Sequence, residues 1–199
     1  PIGSIVEVKR GMTTSDNKRF LRRWNEVAYK KISFNSNSCE DSILSQAKWF
    51  PYSKGGGYRK WYGYNDFVVN WENDGEDVID FAKTINKSYT RTIVNISYYF
   101  KPSVGFSYIT SGPFSMRWIK KGFIYDSGGP GMFGPEELRL KVIACMNSKP
   151  AELILKLISP TINLQIADII RMPFLFNEND GDIIISLTKR CIKLSQDDW

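Results

Sequence analysis

Histidine is absent from all 199 residues. That removes the usual general base near neutral pH and the commonest nitrogen ligand for zinc. Cysteine is scarce. Cys39, Cys145 and Cys191 lie far apart, are odd in number and form no C-x-x-C pair. A His-based catalytic triad, a zinc site and a disulfide framework are all disfavoured, and reduced thiols in a cytoplasmic protein fit best. No apolar run approaches the roughly 20 residues that span a bilayer. The opening PIGSIVEVKRG has no apolar core of the signal-peptide kind, so no membrane partner is expected. Repeats and low-complexity segments are also missing. There is no initiator methionine, and the chain stops at Gln196-Asp197-Asp198-Trp199 without a cap. A piece of a longer protein is therefore expected.

What is present is the composition of one soluble globular domain, 42% hydrophobic and 24% charged, long enough to bury a core without staples. Its net charge of +6 and pI near 9.2 favour a polyanionic partner. The most unusual stretch is Lys48 to Gly75, KWFPYSKGGGYRKWYGYNDFVVNWENDG, with nine aromatic residues and three of the six tryptophans. Lys48, Lys54, Arg59 and Lys60 stand among the rings, beside the glycine run Gly55–Gly57. Rings that stack, cations that meet phosphates and glycines that let backbone N–H groups approach a ligand suit a nucleic-acid surface. An aromatic core layer around a glycine turn explains the same composition. Trp24, Trp49 and Trp71 are read as core rather than as stacking platforms.

A second concentration lies at the start. Residues 1 to 31 hold eight cations against three carboxylates. Phe20, Leu21, Trp24 and Val27 recur at helical spacing and predict a helix, with Lys18, Arg19, Arg22 and Arg23 on its other face. The alternative for Arg19 is a surface ion pair with Asp16 or Glu26. Further on, the pattern predicts a strand over Ser4–Lys9 and a polar loop over 33–42. Strands are expected at Trp49–Tyr52 and Phe67–Trp71, and a helix from an Asn73 or Asp74 cap to about Lys83. A β-rich region over 89–125 should hold runs at Thr92–Phe100, Gly105–Thr110, Phe114–Ile119 and Phe123–Tyr125. Ser127–Gly134 reads as a loop, and its glycines do not match a phosphate-binding signature. Pro135 should open a helix with Glu136 and Glu137 in its first turn. Shorter helices follow over Ala151–Ile158 and Gln165–Ile170, and a last one over Asp182–Leu194. Glu7-Val8-Lys9 fits the minimal E-x-K of metal-dependent nucleases, but without the upstream acid.

Several blocks form an ordered set: VKRGMTTSDNKRFLRRWNEV, KWFPYSKGGGYRKWYGYNDFVVNWENDG, FSMRWIKKGFIYDSGGPGMF, LKVIACMNSK with SPTINLQIADIIRMPF, and SQDDW. In this set the chain resembles the target-recognition region of large adenine-specific DNA methyltransferases, most closely those of BREX-type phage-defence systems. SPTINLQIADI is also similar to the end of each recognition half in type I specificity subunits, with Ala167 in place of a usual glycine. The resemblance implies an α+β fold, a curved, mostly antiparallel sheet with flanking helices, as a single target-recognition domain over residues 1–199. It implies a role in restriction-modification or phage defence: docking on duplex DNA and reading the site at which an adenine is methylated at N6. The family's Asn-Pro-Pro-Tyr motif and its glycine motif for S-adenosylmethionine are absent. Both are expected upstream in a full-length protein, so this stretch should hold neither the cofactor nor the flipped adenine and should not be catalytic alone; with no histidine and no C-x-x-C pair, no metal is expected either.

On this reading Lys18, Arg19, Arg22, Arg23, Lys54, Arg59 and Lys60 are candidates for phosphate contact. Arg59, Tyr62, Asn65 and Arg117 are candidates for reading base edges. The competing reading is a protein-interaction domain, its aromatic stretch binding another defence subunit or a phage inhibitor.

Overall fold

Gly, Pro, Asn and Ser interrupt the apolar runs every few residues, and the strands are accordingly short. A computed structural model describes residues 1–109, 112–161, 163–174 and 177–199. The fold is α+β, as the resemblance implies, and the strands divide between two sheets. One sheet is ordered β1-β8-β5-β6, from Glu7–Lys9 (β1), Gly131–Phe133 (β8), Ser103–Phe106 (β5) and Met116–Ile119 (β6). The other is ordered β2-β4-β3-β7, from Leu21–Arg23 (β2), Phe67–Asn70 (β4), Trp49–Ser53 (β3) and Ile124–Tyr125 (β7). Between these strands the pairings are antiparallel except that of β3 with β7.

Each sheet has its own core. Against the second sheet, Phe50, Tyr52, Val69, Trp71 and Phe100 pack with Val78 and Ala82 of α3 (Glu72–Asn86). Trp71 is fully buried, in edge contact with Tyr99, and its indole N–H donates to Asp74 at 3.0 Å. That bond comes from a left-handed run, Asn73-Asp74-Gly75, which precedes the regular part of α3. Gly75 is required there: a Cβ would stand 2.6 Å from the indole ring, and φ is +81°. Against the first sheet, Val104, Phe106, Met116 and Met132 pack with Val142, Ile143 and Met146 of α4 (Glu136–Met146) and Leu155 of α5 (Lys149–Ile158). Pro135 precedes α4, and Glu136 and Glu137 occupy its first turn as expected. The chain continues through α6 (Ile166–Arg171) and α7 (Gly181–Asp197).

Three sequence expectations need correction. The amphipathic amino-terminal helix shrinks to Asn17–Phe20 (α1). Beyond it Leu21–Arg23 pairs with β4, Leu21 opposite Val69 and Arg22 opposite Val68. The edge of β4 offers a ladder that satisfies the backbone while still burying Leu21, so tertiary pairing overrides the helical period. Thr92–Phe100 is not a strand. It holds a 3-10 turn at Ile96–Tyr98 that drops Tyr99 and Phe100 into the core. The end of the 127–134 loop, Gly131–Phe133, is the central strand β8, its glycine lying under Phe133. Of the run Gly105–Thr110 and the turn after it, Thr110 and Ser111 lie outside the described residues.

Candidate nucleic-acid interface

The aromatic stretch is used first for the interior. Phe50, Tyr52 and Trp71 have no exposed surface. The glycine run is spent on packing one loop against another. Gly56 N–H donates to Ser107 Oγ at 2.9 Å, and a Cβ on Gly129 would stand 2.6 Å from both Gly55 N and Ser53 O. The Gly56 N–H is therefore not open for a ligand, whereas Gly57 is exposed. The loop across from them is fixed by Asp126, which accepts from Tyr52 at 2.7 Å and from Gly128 N–H at 2.6 Å. Burial pushes the Asp126 carboxyl above its usual range, and these donors and Lys54 hold it back.

Two of the residues assigned to base reading are occupied internally. Arg117 is only 4% exposed. Its guanidinium donates to Ser107 Oγ at 2.8 Å and to Gly57 O at 3.4 Å, and lies over Tyr64. Burial pushes its pKa down to about 10. Arg59 donates to Tyr62 O at 2.9 Å, pairs with Asp198 at 2.8 Å and lies 4.7 Å from the Trp199 ring. Ser195 Oγ donates to Lys60 O and Tyr62 O in the same clamp. Lys60 donates to Asn147 O at 2.6 Å. These partners come from distant parts of the chain, which is why reading the local sequence places the cations at the surface.

The remaining candidate cations, Lys18, Arg19, Arg22, Arg23 and Lys54, have no ion pair among the described residues. Arg19 lies over Phe20 and Phe81 rather than pairing with Asp16 or Glu26. Asp16 instead caps α1 by accepting from the Arg19 backbone N–H at 3.0 Å. Arg22 Nη1 donates to Lys18 O and Leu21 O, and the guanidinium lies 5.8 Å from the Trp49 ring. Arg23 and Lys54 flank Phe67, at 5.9 and 5.1 Å from its ring.

Phe67 lines a cleft of about 740 Å³ where the two sheets meet. One wall is Pro51, Val68 and Phe67, with Trp24, Tyr29 and Phe34 beyond. Paired residues share a sheet face, so Arg22, opposite Val68, is on the cleft side of the second sheet. Trp118 and Arg139 come to the cleft from the first sheet and its helix, and Phe123, Tyr62, Asn65 and the exposed Lys120 and Lys121 complete the lining. Tyr62 and Asn65 are thus where a bound molecule could reach them. Sequence reading passed over Lys120, Lys121, Trp118 and Arg139. The signal was present as two lysines between ring-bearing segments in MRWIKKGFIY, but it reads first as a turn.

Glu7 and Lys9 pair with each other at 2.9 Å, and Tyr98 O–H donates to Glu7. Those bonds hold the Glu7 carboxyl below its usual range. No group of three His, Cys, Asp or Glu suited to a metal occurs among the described residues. No helix among them is long and apolar enough to cross a membrane.

Fold and site together describe an α+β chain with a basic, ring-lined cleft between two sheets. No family model matches the chain. It is similar to a segment of adenine-specific methyltransferases: 35% identical over 200 residues to "Adenine-specific methyltransferase PglX" of Lacticaseibacillus casei (strain Zhang), covering 98% of this chain and 16% of that protein. With "Adenine-specific methyltransferase BrxX" of Escherichia coli O9:H4 (strain HS) it shares 37% identity over 183 residues, 90% of this chain and 14% of that protein. The chain thus spans about one seventh of the length of the curated relatives it matches.

Proposed function

We propose that this chain is a DNA-binding target-recognition domain acting for adenine-N6 methylation in a phage-defence or restriction-modification system. On this reading the methyl transfer and the S-adenosylmethionine site belong to other parts of a longer protein, which works on cytoplasmic DNA. The observation that carries the proposal is the cation set around the cleft. Arg22, Arg23, Lys54, Lys120 and Lys121 are without ion pairs among the described residues; Lys120 and Lys121 line the cleft, Arg22 shares a sheet face with its Val68, and Arg23 and Lys54 lie beside the ring of its Phe67. Phosphate contacts from these residues would set register on the duplex. Tyr62 and Asn65 would supply base-edge contacts. Similarity to adenine-specific methyltransferases over nearly the whole chain supports the same reading.

The protein-interface alternative draws less support, because Phe50, Tyr52 and Trp71 are buried in this chain's own core. Salt separates the two. If five cations each meet a phosphate, log affinity should fall with log salt at a slope of about −4.5. Arg23→Ala with Lys54→Ala should reduce that slope by about 2 while thermal stability holds. A slope near zero, or one indifferent to the double variant, would sink the proposal.

A further inference from the structure

Between Lys60 and Asn65 the backbone takes a path that side-chain-bearing residues disfavour. Trp61 and Tyr64 have φ of +74° and +59°, and Gly63 between them has φ of +130°. Tyr62 N–H donates to Lys60 O at 3.0 Å and closes a γ-turn centred on Trp61, whose positive φ marks the rare, strained form. A loop of this kind persists only where its surroundings over-determine it, and such strain gathers at functional sites. We propose that Ser195 and Trp199 are positioning residues for sequence reading. They hold the 61–64 loop in the form that presents Tyr62 and Asn65 to DNA, and make no DNA contact themselves. This rests on the DNA-binding reading above and assigns discrimination between sequences, rather than overall affinity, to the end of α7.

The loop is gripped from two sides. On one, Trp61 is tied to β6: its N–H donates to Met116 O at 2.9 Å, and Trp118 N–H donates to Trp61 O at 2.7 Å. On the other, Ser195 in the last turn of α7 shares its hydroxyl hydrogen between Lys60 O and Tyr62 O, each at 3.2 Å. Arg59 is the second donor to Tyr62 O, at 2.9 Å. The Trp199 ring lies 5.9 Å from that of Tyr64, and a Cβ on Gly63 would stand 2.9 Å from it. These ties fall on carbonyl oxygens and ring contacts. Among the described residues they leave the Tyr62 hydroxyl and the Asn65 amide without a hydrogen-bond partner, and both residues are partly exposed and line the cleft. Fixed backbone with free polar ends is how a recognition loop avoids an ordering cost on binding. The far end of α7 thus decides where the two candidate base readers stand.

The test selects a randomised duplex pool through the 199-residue chain and takes the best-bound duplex and a scrambled version of it as probes. Ser195→Ala should cut the preference for the selected duplex about tenfold, the order of one lost base contact. Affinity for the scrambled duplex and its salt slope should stay those of the parent. Trp199→Ala, at a half-exposed ring outside both cores, is the second variant and should act in the same direction. A residue that only stiffens the fold would lower the melting temperature and leave the preference intact. In a chain already carrying Tyr62→Ala and Asn65→Ala, Ser195→Ala should reduce the preference no further. Parental preference in both single variants overturns the assignment, and so does a further loss in the Tyr62 and Asn65 background. Equal binding of the two probes by the parent chain overturns it too, while the phosphate-contact reading stands. Binding of neither probe removes the DNA-binding reading and this inference with it.

Discussion

Arg59 stands in the most cation-rich part of the aromatic stretch, yet its contacts are those of a fastener. Replacing it with alanine separates the two roles. The side chain is 26% exposed and Asp198 is 78% exposed, so their ion pair is a surface one, worth about 0–1 kcal/mol. Donation to Tyr62 O from a charged group contributes about 1.5 kcal/mol. The contact with Trp199, itself about half exposed, adds about 0.5 kcal/mol. These terms share one guanidinium and are not independent, so Arg59→Ala should cost about 2 kcal/mol. For a chain of this length that is a fall in Tm of about 4–8 °C, measurable by circular dichroism or by a urea midpoint. Asp198→Ala should cost less, because it leaves the Tyr62 and Trp199 contacts in place. The slope of DNA affinity against salt should change with neither variant. The reasoning is refuted if Arg59→Ala melts within 1 °C of the parent and lowers the salt slope by about 1, since that is how a phosphate contact behaves.

Other consequences of the structure can be checked separately. Asn147 is buried and imitates a neighbouring strand, accepting from Met116 N–H at 2.8 Å and donating to Met116 O at 3.1 Å. Asn147→Ala strands both backbone groups and should cost about 2–4 kcal/mol in urea titration; a cost under 0.5 kcal/mol would mean that water replaces the amide. Gly129→Ala forces a Cβ against the backbone at Gly55 and Ser53 and should destabilise by about 1–3 kcal/mol, with a wild-type Tm as the contrary result. Burial, with Asp74 nearby, pushes the Cys39 thiol up to about 12, and burial raises the Cys145 thiol as well. A raised thiol pKa leaves little thiolate at pH 8, so native-state iodoacetamide labelling of both should run well behind a cysteine peptide, read by peptide mass mapping. Labelling of Cys39 at the peptide's rate would show that the thiol is not shielded as described.

How far the sequence could be read depended on the range of the forces at each position. The start of α4 was legible because Pro135, Glu136 and Glu137 act within one turn. Trp71 was legible as core because its ring sits in the apolar run Phe67–Trp71, but the same reading fails at Trp24, which has polar neighbours and is 48% exposed. The amino-terminal helix was not, since Phe20, Leu21, Trp24 and Val27 fit a helical stripe until the edge of β4 captures Leu21–Arg23. The cations were the hardest, because formal charge says nothing about partners. Arg59 finds its carboxylate 139 residues away, and Arg117 its hydroxyl across β5 and β6. Lys120 and Lys121 gain their importance from Phe67 and Trp24, which only the meeting of two sheets brings near. One long-range hint did lie on the surface of the text. KGGGYRKWYGYNDF and SQDDW belong to the same ordered set of blocks, and in the fold they touch, through Arg59 with Asp198 and Trp199 and through Ser195 with Lys60 and Tyr62. An acid-and-ring segment in that set answers an arginine-and-ring segment. Such matched blocks predict a clasp, and a cation inside a clasp is already taken. On the proposed DNA-binding reading, the contacting cations should therefore be sought where no acidic block answers them, around Arg22, Arg23, Lys120 and Lys121.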